Sequence, residues 1–341
     1  MDNLKIFSIQ DVEAEPVSWL WEPYIPYGKI TIIQGDPGDG KTTMALAIAA
    51  AVTNGESLSG DIAAIPANVI FQTAEDGLAD TIKPRLEQFG ADCCRVHIID
   101  EDEKALSLSD MRIEQAIVRT DAKLFILDPL QAYLGGADMH SANGIRPLMK
   151  SLSAVAERTG CAVLIIGHLN KKGGKSQYRG LGSIDIYAAA RSVLTVGRIG
   201  IDDNMRAVVH NKSNLAPPGA SFAFGLDPVG GFTYLGEYDV GIDELLGGRK
   251  IPENQFTKAR RLIESALEQG SVPAVEIMQA AEEQGISAKT LNRAKSAMGV
   301  LSVKRHEQWF WEKPIIVNED TQDGHDTRTG FLSILNESGA M

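Results

Sequence analysis

Residues 35–42, Gly35-Asp36-Pro37-Gly38-Asp39-Gly40-Lys41-Thr42, restrict the fold of this 341-residue chain more than any other stretch. They fit G-x-x-x-x-G-K-[ST], a loop whose backbone N–H groups turn inward around a phosphate and whose glycines let the chain wrap closely. Such a loop needs a buried strand before it and, after it, a helix that presents its N-terminal dipole to the anion. Both flanks are present: Ile30-Thr31-Ile32-Ile33 reads as a buried strand, and Lys41–Val52 as a helix. The expected binding set is Gly35, Asp36, Pro37, Gly38, Asp39, Gly40, Lys41, Thr42 and Thr43. Lys41 would reach the β- and γ-phosphates and Thr42 would ligate magnesium, so ATP and Mg2+ are the implied cofactors.

Apolar runs alternate with helical patterns over the first 235 residues. Val69–Gln72, Leu124–Leu127 and Ala162–Ile166 read as strands, and Pro147–Arg158 as a helix. Near-continuous apolar strands alternating with helices predict an α/β fold, a mostly parallel twisted sheet covered on both faces. Ser192–Val196, Ala207–His210 and Ser221–Phe224 are expected as added strands.

Two strand ends carry acids that suit this chemistry. Leu124–Leu127 runs into Asp128, a carboxylate placed to hold the magnesium water shell. Val69–Thr73 ends at Ala74-Glu75-Asp76, and hydrolysis needs a base near the γ-phosphate to orient water. Glu75 is the candidate and Asp76 the fallback; the plainer alternative is a pair of helix-capping surface acids.

The segments GDPGDGKTT, VIFQTAED, LFILDPLQAYLG, ERTGCAVLIIGHLNKKGG, YRGLGSIDIYAAARSVL and VVHNKSNLAPPG, in this order, resemble the RecA-like ATPases. The closer resemblance is to the branch holding the DnaB-type replicative helicases and the plasmid RepA-type hexameric helicases, and it covers roughly residues 20–225. It implies a RecA-like core and gives Glu75 the role of catalytic glutamate and Asp128 that of magnesium-site acid. His168 would sense the γ-phosphate. Lys212 matches a position from which a basic residue reaches the neighbouring subunit's nucleotide, with Arg206 and Arg191 as alternatives. Lys171, Lys172, Lys175 and Arg179 would line a channel loop that follows a nucleic-acid backbone, unless they form only a basic surface loop. His140, Asn143 and Arg146 form a second candidate contact, with the alternative that Arg146 pairs with an acid. The implied partners are single-stranded or duplex DNA, further copies of the chain as a hexamer, and a loader, primase or initiator. The implied activity is that of a DNA-dependent ATPase, helicase-like, serving a phage, plasmid or integrated element. A regulatory or recombination ATPase, or a non-catalytic initiator, remains the alternative.

Composition adds limits. The formal net charge of −12 argues against a chain that binds nucleic acid by bulk charge, but steering depends on the local field. Lys289, Arg293, Lys295, Lys304 and Arg305 occur with no acid between Gln284 and His306. Ala259, Leu262, Ile263, Ala266 and Leu267 share a helix face, a second helix follows Pro273, and Ser287 caps a third. Two short strands, Val300–Val303 and Trp309–Trp311, complete the outline of a small winged helix-turn-helix-like domain. Lys289, Asn292, Arg293, Lys304 and Arg305 are its candidate nucleic-acid residues. The expected organisation is an N-terminal strap at 1–29 with Trp19 and Trp21 as anchors, an ATPase domain at 30–235, and a linker at 236–250. The winged-helix-like domain follows at 251–313, and then a mobile acidic tail at 314–341. Cys93, Cys94 and Cys161 lack ligand spacing and are expected to be structural. No apolar run is long enough for a membrane span and the N-terminus lacks a signal-peptide pattern, so a cytoplasmic location is expected.

Overall fold

The computed structural model describes residues 6, 8–56, 58, 64–139, 141–169, 184–199, 204–227, 231–247, 255–305 and 308–313. Strands β1 (Trp19–Trp21) and β2 (Ile25–Pro26) form a small hairpin ahead of β3 (Ile30–Gly35) and helix α1 (Lys41–Asn54). The chain continues through β4 (Asn68–Thr73), α2 (Lys83–Gln88), β5 (Val96–His97), α3 (Met111–Thr120), β6 (Ala122–Asp128), α4 (Ala142–Thr159), β7 (Ala162–His168) and α5 (Ile184–Ala189). Then come β8 (Ser192–Arg198), β9 (Met205–Ser213), β10 (Phe222–Asp227), β11 (Gly231–Glu237) and α6 (Ile242–Leu246). The last elements are α7 (Gln255–Ala266), β12 (Val272–Pro273), α8 (Ala274–Glu283), α9 (Ala288–Ala297), β13 (Leu301–Arg305) and β14 (Gln308–Glu312).

Among the described residues one nine-stranded sheet dominates, in the order β11-β10-β9-β8-β3-β7-β6-β4-β5. The strands from β5 to β8 are parallel and the β9–β11 extension is antiparallel. Every residue of β3 is buried, because helices cover both faces of the parallel part. On one face, α1 is apolar around most of its circumference and lies buried against the sheet, with Met44, Leu46 and Ile48 meeting Ile33, Leu164 and Val196. On the other, α3 and α4 place Ile113, Ile117, Met149 and Leu152 against Ile32, Phe125 and Ile165.

Three expectations need adjusting. Helix α4 begins at Ala142, with Pro147 inside it rather than at its start. Proline removes one N–H of the ladder, but Ile145 and Met149, both buried, hold the two sides of that turn to the core. Residues 236–250, expected as a linker, carry structure through Gly247. The backbone N–H of Tyr238 donates to Ser221 O at 2.7 Å, and α6 lays Leu245 on Gly197 of β8, where a Cβ would lie 2.8 Å from Leu245 Cγ. Trp21, expected as an anchor on a neighbour, packs within its own chain on Tyr24 and Phe222 at ring distances of 4.5 and 5.3 Å.

The extension meets α7, α8, α9 and a three-stranded sheet of order β12-β14-β13. A single apolar cluster runs from Val209, Leu235 and Tyr238 to Phe256, Ile263, Ile277, Leu291 and Trp311. The helix face read from Ala259, Leu262, Ile263, Ala266 and Leu267 is the one that enters this cluster. Of the three cysteines, Cys161 is buried, Cys93 half-buried and Cys94 exposed.

A buried histidine makes stability depend on pH. His210 on β9 accepts from Gly219 N–H at Nδ1 (2.9 Å), so Nε2 carries the proton and faces Ser192 Oγ at 3.0 Å. Burial holds its pKa down at about 4, well below an unfolded value of about 6.5. The unfolded chain therefore takes up the proton first as pH falls. The neutral ring's contribution is complete above about pH 6.5 and is lost progressively down to about pH 4, roughly 3 kcal/mol in all. Denaturant titrations at pH 7.5 and 5 should show this loss begin in the parent chain and flatten in His210→Gln.

Candidate active site

Parallel pairing aligns the carboxyl ends of β3, β7, β6 and β4, and a ligand crevice lies outside strand ends of this kind. Gly35 is opposite His168, and Thr73 is opposite Asp128. The register thus gathers the phosphate loop, Asp128, His168 and Glu75 from four separate stretches of sequence.

Within the loop, Gly40 adopts φ 85°, a left-handed conformation that suits glycine, and it starts α1. A Cβ there would also lie 2.6 Å from Leu226 Cδ1 of β10. Asp39, nearly buried, accepts the Asp36 N–H at Oδ2 (2.9 Å) and so ties the two sides of the loop. Lys41 Nζ donates to Asp36 O at 2.8 Å. Asp36, Pro37 and Gly38 are exposed, and Thr42 and Thr43 are half-buried at the first turn of α1.

Thr42 Oγ1 donates to Asp128 Oδ2 at 2.6 Å. Burial pushes the Asp128 carboxyl up to about 6, helped by the charges of Glu75 and Asp76 and opposed by the Thr42 bond. Burial lowers the Lys41 ammonium, against the attraction of Asp39, Asp128, Asp36 and Glu75. Glu75 is 61% exposed, with His168 Nε2 3.9 Å from its Oε1. The other nitrogen of His168, Nδ1, is buried without a hydrogen-bond partner among the described residues, and burial and then Lys41 lower the ring's pKa, against Glu75. Asp76 lies 3.7 Å from Arg85 and so is paired away from the loop.

The donor set fits a hard divalent cation. A threonine hydroxyl and one buried carboxylate are oxygen ligands, and magnesium commonly takes one or two such groups and fills its shell with phosphate and water. Among the described residues, no cluster of three or more His, Cys, Asp or Glu has the spacing of an all-protein metal cage.

Arg198 was not singled out by sequence reasoning. It ends β8, whose Thr195 pairs with Gln34 of β3, so three further residues carry it to the loop. Its Nη2 donates to Gly38 O at 3.3 Å and its Nε lies 3.5 Å from Asp39 Oδ1. No sequence signal marks it, because its place at the loop follows from β8 running parallel to β3 and so ending at the same edge. Arg198→Ala and Asp39→Ala should each weaken ATP binding about tenfold, the cost of roughly one charge-assisted hydrogen bond, measured by fluorescent-nucleotide titration.

Other candidates fall elsewhere. Arg206, an alternative for reaching a neighbour, is buried in its own chain, with Nη2 3.5 Å from Gly38 O. Lys212 Nζ donates to Tyr187 O at 2.7 Å and lies 4.8 Å from the Tyr187 ring centroid, at the end of α5. Arg146 pairs with Asp185 at 3.0 Å, the plainer of its two readings. Lys171, Lys172, Lys175, Arg179 and His140 lie outside the described residues, and so does the side chain of Arg293. Lys289, Asn292 and Lys304 are exposed, while Arg305 pairs with Glu312.

The sequence matches the AAA domain family over residues 4–174, which carry the loop, Glu75, Asp128 and His168. The chain belongs to the AAA domain family. It is also 30% identical over 151 residues to the DNA repair protein RadA of Halalkalibacterium halodurans, covering 43% of this chain and 29% of that protein. It is 26% identical over the same length to RadA of Bacillus subtilis, with the same coverage. It is 26% identical over 238 residues to the protein RecA of Psychrobacter cryohalolentis, covering 64% of each. The chain thus matches less than a third of the RadA relatives and under two thirds of this RecA. Family, sheet order and loop together make this AAA domain a RecA-like P-loop NTPase.

Proposed function

We propose that this chain is a DNA-dependent, oligomeric ATPase that hydrolyses ATP between copies of itself, a helicase-like motor in the replication of a phage, plasmid or integrated element. The observation that carries this reading is the exposed carboxylate of Glu75, near enough to Lys41 and buried Asp128 to act on the charge of both. That half-site binds phosphate on one side and leaves the water side open to a second copy.

Backbone N–H groups of the loop and Lys41 would bind the β- and γ-phosphates, and the preorganised loop needs little rearrangement to do so. Thr42 and Asp128 would hold magnesium, which supplies charge neutralisation on the phosphates. Glu75 would orient a water and accept its proton as the water oxygen bonds to the γ-phosphorus and the bond from that phosphorus to the β,γ-bridging oxygen breaks, leaving ADP and inorganic phosphate. His168 ends β7, the strand that leads into the Lys171–Arg179 stretch, and stands 3.9 Å from Glu75. The histidine is therefore suited to pass the state of the γ-phosphate to DNA held there. Lys212, with Arg191 as its alternative, would be offered to a neighbour's nucleotide, and its amine must first leave the α5 carbonyls. The assembly would be a hexamer, as the resemblance to the hexameric helicases implies. The α7–β14 unit at 251–313 would act as a winged helix, with α9 presenting Lys289, Asn292 and Arg293 to duplex DNA and Lys304 and Arg305 beside the backbone. Among the described residues no helix is long and apolar enough to cross a membrane. The proposed motor would work in the cytoplasm with a loader, primase or initiator.

The test is ATPase rate against added single-stranded DNA, with Lys41→Ala as control and molar mass followed by light scattering. Stimulation together with a larger assembly is expected; equal rates with and without DNA at every salt concentration would overturn the motor. A second reading, an ATPase that remodels DNA–protein complexes without unwinding, draws on the similarity to RadA, a protein named for DNA repair. Strand displacement separates the two, because an active ATPase that unwinds nothing is a switch.

A further inference from the structure

A groove of about 470 Å³ lies between α8, α9 and the β13–β14 hairpin. Its rim exposes apolar side chains that a free surface would ordinarily cover: Val275 at 63%, Met278 at 45% and Trp309 at 54%. Its floor is Trp311, 2% exposed, with Lys295 Nζ 4.9 Å from the ring centroid. Trp309 and Trp311 sit on one face of β14, so the strand offers a buried ring and an exposed ring side by side.

The chain supplies an occupant of matching chemistry. It leaves β14 at Glu312, next to the groove floor, and residues 314–341 lie outside the described residues. Their sequence opens on a short apolar run, Ile315-Ile316-Val317, close behind β14. Glu319, Asp320, Asp323 and Asp326 follow, and then Phe331-Leu332-Ser333-Ile334-Leu335 as a second, longer apolar stretch. Lys295 lines the groove together with Glu276 of α8, and beyond it Lys289 and Lys304 are exposed, in a stretch that holds no acid from Gln284 to His306. Acidic spacer and basic surface are complementary, and so are apolar stretch and apolar groove. The 17 residues from 314 to 330 reach up to about 55 Å when extended, far more than the return to a groove that starts at the preceding strand. A tether of that length gives an effective concentration near the millimolar range, so even a weak apolar contact is mostly closed.

We propose that residues 330–336 of this chain fill the groove of their own α8–α9–hairpin unit, with the acidic spacer lying along the basic surface of α9. The docked segment covers Asn292 and Lys295, both of which line the groove. It therefore competes with any polyanion for that helix. The inference does not depend on the nucleotide site or on DNA being the partner.

The test is 19F NMR of the full chain with fluorotryptophan, the Trp309 resonance being assigned through Trp309→Phe. Phe331→Ser/Leu335→Ser is expected to move the Trp309 resonance and enlarge its solvent isotope shift, while Trp19 and Trp21 stay unchanged as internal controls. A synthetic peptide of residues 327–338 at millimolar concentration should then return the Trp309 resonance to its original position. An unmoved resonance in the double variant overturns the proposal. So does a resonance whose position follows protein concentration, which assigns the groove to a second copy, or one that moves only when duplex DNA is added.

Discussion

Glu75→Gln is expected to lower ATP turnover by roughly 10²–10⁴-fold, the range for loss of a general base, with nucleotide affinity close to that of the parent chain. The separation follows from geometry. Glu75 makes no bond to the phosphate loop, is 61% exposed, and stands 3.9 Å from His168. The phosphate-binding apparatus is built by other residues: the Asp36–Asp39 tie, the Lys41–Asp36 bond and the Thr42–Asp128 bond. Lys41→Ala should behave differently, because it removes a buried cation held among four acids and so weakens binding and turnover together. Single-turnover hydrolysis alongside nucleotide titration distinguishes the two variants. If Glu75→Gln turns over ATP at the parent rate while Asp76→Asn does not, the base is Asp76 and its pairing with Arg85 must break during the reaction.

The site residues that sequence exposes are those whose chemistry leaves little freedom of type or spacing. A loop that wraps a phosphate needs glycines and a lysine, and the acid for magnesium must end a strand of the same sheet, so Gly35–Thr42 and Asp128 are legible together. Arg198 was not legible, because its nearness to Gly38 depends on β8 running parallel to β3, and an apolar run carries no direction. Lys212 shows the converse limit. Its surroundings in sequence suggest a residue free to reach outward, but its amine bonds to carbonyls at the end of α5, 24 and 25 residues earlier in the chain. The glycines and acids of 236–250 likewise suggest a break between units. Leu245 crosses that expectation only because Gly197, far away in sequence, leaves space for it on β8.

That same packing makes Trp311→Ala a strong test of how the chain is organised. Trp311 is 2% exposed, and truncating a buried tryptophan costs about 3–5 kcal/mol in lost burial and cavity formation. The cluster around it does not stop at the C-terminal helices but continues through Phe256 and Leu245 to Leu235, Val209 and Ala207 of the main sheet. If the two regions shared only a flexible connection, the variant would lose the α7–β14 unit in an early transition and leave the nucleotide site's melting midpoint in place. The continuous core predicts a shared transition instead. Trp311→Ala should lower the midpoint observed by a fluorescent nucleotide at the loop and the midpoint observed by far-ultraviolet dichroism by similar amounts. Any change in the α7–β14 unit that loosened this cluster would then be felt at β9 and β10, and through Leu226 of β10 at Gly40. That is the physical route by which an occupant of the C-terminal groove could alter nucleotide binding without touching the phosphate loop.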